Sequence, residues 1–415
     1  RKDYIFAPIL KFTSHNMKMF FTALCFIGLM GCTGNSAKQA EATTPSNDTT
    51  TTQSQEPKAV VNTNNSYQNT ALYLAGLAKT VEANVPAALT NNNAYKLFSD
   101  TMNIGFSNME KNRFVKMREW AKTELAPELA SPKTVFYPFS GPDILHCVQF
   151  YPDADQYIMI ALEKYGSLPN LQKMDSAKAG YYLSSVTKSL EDIFGKSYFI
   201  TRKMLKDVSN SVNGVVPLVS VFLVRTGFEI KDIQYKHLND DGTFTAIVAD
   251  ACGKQTNDLV EIYFTKPGSD KMRKIVYFKT NLCDEPYGGM PSFTENKALQ
   301  NYLNKMPECY TYVKSASYLM NYGTFSIIRN ICLAKSKSIL QDDTGIAFRY
   351  VDKSKWNYKL YGSYIKPVDD FSGVWQDDLS ATYKKDSVNV KKLAFSLGYH
   401  WGNQAGQNLM KFERK

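Results

Sequence analysis

The hydrophobic pattern changes near residue 228, and this change constrains the fold more than any other feature. From about Leu72 to Gly227 the apolar residues recur mainly at helical spacing, as in the stripe through Leu183 and Leu190. From Glu229 onward, apolar and polar residues alternate with the period of a half-buried strand. Helical and strand-like segments alternate along the chain, which predicts an α/β or α+β fold with a mixed sheet.

Turn residues divide the C-terminal part into short strands. Asp240-Asp241-Gly242 and Pro267-Gly268 each separate two alternating runs, as the turns of hairpins do. The pattern predicts an antiparallel meander of about four strands. We also expect short strands at Ser338–Gln341, Ala347–Val351, Tyr358–Tyr361 and Leu393–Tyr399.

A strand–helix–strand pattern stands out in the helical N-terminal half. Thr134–Tyr137 is a short apolar run, and a turn rich in Pro and Gly follows it. A short helix at Ile144–Phe150 then leads to a second buried-type strand, Tyr157–Leu162. The order and spacing predict a βαβ-like unit over residues 136–163.

This unit supplies the first candidate site. Ser140 and Asp143 lie in the turn after the first strand, and Glu163 follows the second strand, about twenty residues after Gly141. A dinucleotide or adenosyl-methionine site places an acid at a similar interval, so a Rossmann-like or methyltransferase-like enzyme is one hypothesis. The single glycine and the bulky Pro142 favour the other interpretation, in which Asp143 only caps the following helix.

Asp342 and Asp343 form a second candidate, between two predicted strands. Paired carboxylates at a strand end can bind a metal or act as acid and base. The same residues with Thr344-Gly345 are also ordinary hairpin composition. The spacing of Cys and His does not fit a zinc site, so the sequence predicts neither a metal nor a cofactor.

An apolar segment near the N-terminus has the length of a signal sequence. Met17-Lys18 precedes the mainly apolar run Phe20–Met30, which is too short to span a bilayer. It ends in Leu29-Met30-Gly31-Cys32, which resembles the lipobox of bacterial lipoproteins. The resemblance implies that residues 1–31 belong to a signal peptide, with the start of translation at Met17. It also implies that Cys32 is thioether-linked to diacylglycerol.

The segment after Cys32 predicts the domain organisation. Residues 32–69 are rich in Thr, Ser, Asn and Gln, a composition typical of a disordered tether. A mainly helical part would follow over residues 70–227, packed with a mixed α/β part over residues 228–415. The body would thus be held near a membrane by a lipid anchor, facing the periplasm.

Two blocks extend the resemblance beyond the lipobox. The first is Phe136–Asp143 with Phe150–Ala154, and the second is Thr311–Met320 with Ile339–Asp343. They resemble a family of lipoproteins associated with Bacteroidota and related phyla, which implies anchoring but no particular activity. The net charge is +10, but the basic residues form no dense run along the chain. This distribution argues against a dedicated nucleic-acid binder. The resulting hypothesis is an envelope binding or scaffold module with a protein or glycan partner. An enzyme and a nutrient-uptake lipoprotein are the alternatives.

Overall fold

A computed structural model describes residues 65–130, 132–199, 212–401 and 406–415 of the chain. The predicted signal peptide, Cys32 and most of the predicted tether lie outside the described residues. The first helix already begins at Asn65, five positions before the predicted start of the body at residue 70.

Ten strands of the described residues form one mixed sheet, in the order β4-β3-β5-β6-β2-β1-β7-β8-β10-β9. Their bounds are β1 Thr134–Pro138, β2 Gln156–Ala161, β3 Glu229–Leu238, β4 Phe244–Ile247, β5 Asp258–Thr265, β6 Arg273–Lys279, β7 Cys309–Val313, β8 Ser336–Gln341, β9 Trp356–Gly362 and β10 Asn408–Arg414. The predicted α/β class with a mixed sheet is confirmed. The sheet takes strands from both sides of Gly227.

The centre of the sheet is parallel and its two flanks are antiparallel. β6, β2, β1, β7 and β8 run in one direction, and Thr134 pairs with Gln156 at the start of the β1–β2 ladder. β4, β3 and β5 continue the sheet on one side, and β10 and β9 continue it on the other. The predicted βαβ unit is therefore present. The four strands of the predicted meander are also present and antiparallel, but β5 pairs with β3 instead of β4, so the strands lie in the order β4-β3-β5-β6.

Helices cover both faces of the sheet, and their bounds are α1 Asn65–Leu74, α2 Ala87–Thr90, α3 Asn93–Met109, α4 Val115–Glu124, α5 Ala126–Leu129, α6 Ile144–Phe150, α7 Ser176–Lys196, α8 Val215–Arg225, α9 Lys297–Lys305, α10 Ser326–Lys335 and α11 Asp377–Lys385. No helix within the described ranges is both long enough and apolar enough to cross a bilayer.

Two apolar cores lie on opposite faces of the sheet, because successive side chains of a strand point to opposite faces. Tyr137 and Tyr157 belong to the core shared with α1, α3, α7 and α8. Their neighbours in the chain, Phe136 and Ile158, belong to the core shared with α9, α10 and α11. A parallel centre must be covered on both faces, and all five residues of β1 are buried.

The sequence Ser107-Asn-Met-Glu110 has the pattern of a capping box and predicts a helix start at Ser107, but this prediction is wrong. α3 already begins at Asn93 and continues through a π-helical turn, Glu110–Phe114, into α4. The actual cap is Asn92, whose side chain accepts a hydrogen bond of 2.8 Å from the Tyr95 N–H. Ser107 lies mid-helix, where its backbone N–H needs no side-chain cap.

Two predicted strands are also wrong. Ala347–Val351 contains a short 3₁₀ helix instead, and the N–H of Phe348 bonds to the Gln376 side chain rather than to a strand. Leu393–Tyr399 forms no ladder; near it, a single bridge joins Lys391 to Tyr361. Short apolar runs do not distinguish strands from buried irregular segments, because both bury the same side chains.

Candidate functional site

The order of the parallel strands creates a switch point between β1 and β7. The chain leaves β1 through α6 and pairs with it again as β2 on one side, whereas β7 and then β8 add on the other side. Ligands of open α/β sheets bind in the crevice outside the carboxyl ends of strands at such a point. The loops after β1, β7 and β8 meet at this edge and carry the candidate residues.

The loops at this edge hold a cluster of residues in the left-handed backbone region. Phe139 follows β1 with a φ of 59°, and Ser315, Ser317 and Tyr318 follow β7 with φ values of 53°, 51° and 57°. Such conformations cost free energy for residues other than glycine, and they concentrate at functional sites. The turn after β1 also contains Gly141, at a φ of 54°.

Asp143 does more than cap α6. Its Oδ1 accepts hydrogen bonds from the backbone N–H and from Nδ1 of His146, at 3.2 and 2.9 Å, and its Oδ2 lies 2.5 Å from Lys314 Nζ. Burial alone would raise the pKa of Asp143, but the charges and hydrogen bonds of His146 and Lys314 lower it to about 2. The sequence predicted the cap and gave no sign of the ion pair.

Lys314 and His146 are fully enclosed around this carboxylate. Burial lowers the pKa of Lys314 and lowers the pKa of His146 to about 4. Arg113 Nη1 lies 3.5 Å from His146 Nε2, a position that suits a neutral ring donating from Nδ1 to Asp143. Lys314 also donates to the carbonyl of Ser197, which joins β7 to the end of α7.

Asp342 lies at the end of β8 on the same edge. Its Oδ2 accepts a hydrogen bond of 3.0 Å from the N–H of Ser315, and its Oδ1 accepts one of 3.0 Å from the N–H of Thr344. Burial and the nearby charge of Asp343 raise the pKa of Asp342 to about 6. The turn predicted here is buried, and the Asp342 carboxylate in it holds the loop after β7 in place through the hydrogen bond from Ser315.

Asp343 faces a different set of partners. Its Oδ2 accepts a 2.5 Å hydrogen bond from the Tyr318 hydroxyl, and its Oδ1 accepts one of 3.1 Å from Asn408. His400 Nε2 lies 3.4 Å from the same Oδ1. Burial alone would lower the pKa of His400, but the neighbouring carboxylate of Asp343 raises it.

These residues form one buried group, which we call the polar centre: Asp143, His146, Lys314, Asp342, Asp343, His400 and Tyr312. The hydroxyl of Tyr312 is fully buried without a hydrogen-bond partner, and both Asp143 and Asp342 are its electrostatic neighbours. Arg113 Nε, Ser197 Oγ and Ser315 Oγ are further buried polar atoms without partners at this edge. A buried donor or acceptor without a partner lowers the free energy of unfolding by about 1–3 kcal/mol. These atoms also give this edge of the sheet hydrogen-bonding capacity that the protein's own groups do not use.

Two candidate residues lie apart from the polar centre. Ser140 Oγ donates to the carbonyls of Gly141 and Ile160, and within the described residues no hydrogen bond joins it to Asp143 or His146. Glu163 follows β2 beside Tyr277, whose hydroxyl donates to the Glu163 carbonyl at 3.0 Å. Within the described residues no hydrogen bond or ion pair joins Glu163 to Asp143.

Burial of Glu163 raises the pKa of its carboxyl group to about 6. The structure thus brings together Asp143, Asp342 and Asp343 and leaves Ser140 and Glu163 to other roles.

The described residues contain no group of three or more His, Cys, Asp and Glu side chains placed to hold a metal ion. Their five cysteines are all free thiols. Two surface depressions of about 510 and 450 Å³ are lined by residues around Asn92 and around Asn296, none of which belongs to the polar centre.

Sequence reasoning missed the basic and aromatic members of the site. Lys314 follows β7, a strand that the hydrophobic pattern did not reveal, and Arg113 lies in the π-helical turn. A lysine directly after a run of buried residues is one signal that would have drawn attention to Lys314, because an unpaired buried charge is very costly. No comparable signal marked Tyr312 or Tyr318.

Comparison with protein-family models, with curated proteins and with solved structures finds no match for this chain.

Proposed function

We propose that the chain is a lipid-anchored cell-envelope protein whose body binds a small polar ligand at the carboxyl edge between β1 and β7. Anchoring is supported by Leu29-Met30-Gly31-Cys32 after an apolar leader. Binding is supported by one observation above all: the Tyr312 hydroxyl is buried without a hydrogen-bond partner and has the carboxylates of Asp143 and Asp342 as electrostatic neighbours. The switch point and the left-handed loop residues favour the same edge.

The anchor gives the first prediction. Cys32→Ser removes the only atom to which diacylglycerol could be attached at the lipobox, so radiolabelled palmitate should be incorporated into the wild-type chain and not into the variant. Fractionation should then move the chain out of the membrane pellet, or leave its leader uncleaved. Cys25→Ser is the matched control, because Cys25 lies inside the leader. Equal labelling of Cys32→Ser and wild type would contradict the anchor.

The ligand site gives the second prediction. The full chain in detergent is heated with adenosine triphosphate, S-adenosylmethionine, chitotetraose, maltotetraose or magnesium. We expect one compound to raise the melting temperature by several degrees, because binding to the folded state alone stabilises it. Tyr312→Phe should reduce that shift, yet leave the unliganded protein at least as stable, since it removes a buried hydroxyl without a partner.

Tyr73→Phe is the matched control for Tyr312→Phe. The Tyr73 hydroxyl is also buried without a partner, but it lies on α1, stacked on Tyr95. It should leave the ligand-induced shift unchanged. A panel without any shift, or a shift that both variants reduce equally, would contradict a site at this edge.

An enzyme is the second candidate, and a specific observation favours it. Two carboxylates of the polar centre have pKa values pushed in opposite directions, Asp143 down to about 2 and Asp342 up to about 6. Pairs of this kind provide the base and the acid of many active sites. A shift by S-adenosylmethionine or adenosine triphosphate would favour the enzyme. A nutrient-uptake role would instead be favoured by a shift with maltotetraose alone.

A further inference from the structure

β4 forms an open edge of the sheet, far from the polar centre in strand order. It is the outermost strand on its side and pairs only with β3 among the described strands. The Asn239 N–H donates to the Thr243 carbonyl at 2.9 Å and closes the hairpin, so the bonds to β3 recur at every second residue, next at Thr245. The N–H and C=O groups of Phe244 and Ala246 therefore point away from β3, toward the open edge.

The two edges of the sheet differ in how they are protected. Native sheet edges commonly carry lysine or proline, or are covered by another segment, and each device prevents pairing with a further strand. The opposite edge has two of these devices, since Lys359 is exposed on β9 and Lys391 forms a bridge to Tyr361. The segment Thr243–Val248 contains neither a charged residue nor proline, and Val248 is 71% exposed. The edge at β4 is therefore apolar and able to pair.

We propose that β4 pairs antiparallel with β4 of a second copy of this chain, about a twofold axis at Ala246. In this register Ala246 lies opposite Ala246 of the second copy, and Phe244 lies opposite Val248 of the second copy. The outward N–H and C=O groups of the two strands then bond to each other and join the two sheets. A contact of this kind uses the same patch on both copies, so it closes as a dimer and does not propagate.

The side chains of β4 favour a second copy over an unrelated extended peptide. Phe244, Ala246 and Val248 share one face, because side chains two residues apart along a strand do. The Phe244 ring is partly buried against Tyr302 of α9, with centroids 5.6 Å apart, and the exposed Val248 of the second copy would pack beside it. The small Ala246 stands at the twofold axis, where the two copies face each other directly. The chain itself thus supplies both the apolar side chain and the surface that would cover it.

Disulfide trapping in the full chain tests the register. Ala246→Cys places two thiols directly opposite each other, at a Cα separation of about 5.5 Å that a disulfide can span. Oxidation with copper phenanthroline should therefore give a covalent dimer on a non-reducing gel. Thr245→Cys is the matched control, because Thr245 is equally exposed on the same strand but its two copies would be offset along the strands, too far apart to bond. It should stay monomeric on the gel, like wild type.

Charges placed at the twofold axis give a second test. Ala246→Lys and Ala246→Glu each put like charges opposite each other in the dimer, whereas in a separate chain the new side chain meets solvent. Sedimentation equilibrium of the full chain in density-matched detergent should show a wild-type dimer and a dissociation constant raised about fivefold or more in each variant. An equimolar mixture of the two variants should recover the dimer. A monomeric wild type, charge variants that dimerise like wild type, or equal disulfide yields from Ala246→Cys and Thr245→Cys would each overturn the proposal.

Discussion

Lys314→Met should lower the free energy of unfolding by about 3–5 kcal/mol, because it leaves Asp143 as a buried carboxylate without its cation. The Lys314 Nζ lies 2.5 Å from Asp143 Oδ2, and their side chains are 1% and 3% exposed. The variant also removes the donor to the Ser197 carbonyl. Urea unfolding followed by tryptophan fluorescence measures the loss.

Lys178→Met is the matched control for this ion pair. Lys178 Nζ lies 2.9 Å from Asp175 Oδ2, and the two side chains are 73% and 54% exposed. Exposed pairs contribute little to stability, so this variant should unfold almost like wild type. The double variant Asp143→Asn with Lys314→Met should recover much of the lost stability. Equal losses for Lys314→Met and Lys178→Met would contradict a structural role for the buried pair.

The sheet centre was largely predictable because its strands are short, apolar and flanked by turn residues. Thr134–Tyr137 and Tyr157–Leu162 match β1 and β2 to within a residue at each end. β7 and β10 were missed for a common reason: Cys309–Val313 mixes Tyr and Thr with apolar residues, and Asn408–Arg414 includes Lys411, which is buried. Buried polar residues disguise a strand when the pattern is judged from hydrophobicity alone.

The candidate site was predictable only in part, because its members meet through long-range contacts. Asp143, Asp342 and Asp343 were identified from their positions after predicted strands, where side chains at a sheet edge converge. Lys314 and His146 are 168 residues apart in the chain, and no local pattern links them. The contact between the rings of Tyr198 and Tyr399 was missed for the same reason, since nothing in the local sequence of either residue indicates it.

Glu163 shows how a candidate acid can act against stability. Its side chain is 3% exposed, and burial raises its pKa to about 6, above the ordinary value of 4.5. The folded chain therefore holds this proton more tightly than the unfolded chain does. The resulting stabilisation is fully present below pH 4.5 and is lost as the pH rises through 6.

Glu163→Gln should therefore stabilise the protein at pH 8 and have little effect at pH 4. A difference of 1.5 between 6 and 4.5 corresponds to about 2 kcal/mol in the free energy of unfolding. The neutral amide avoids the cost of a buried charge at pH 8, whereas at pH 4 the wild-type carboxyl is already protonated in the folded state. Urea unfolding at both pH values measures the two differences.

Glu119→Gln is the control, because Glu119 is exposed on α4 and carries no burial cost. It should change the free energy of unfolding little at either pH. If Glu163→Gln were destabilising at pH 8, the carboxylate would have a favourable partner in the folded state, and Glu163 would return as a candidate for ligand binding. If Glu163→Gln is more stable than wild type at pH 8 and still binds the ligand of the Tyr312 site, the Glu163 carboxylate has no part in ligand binding.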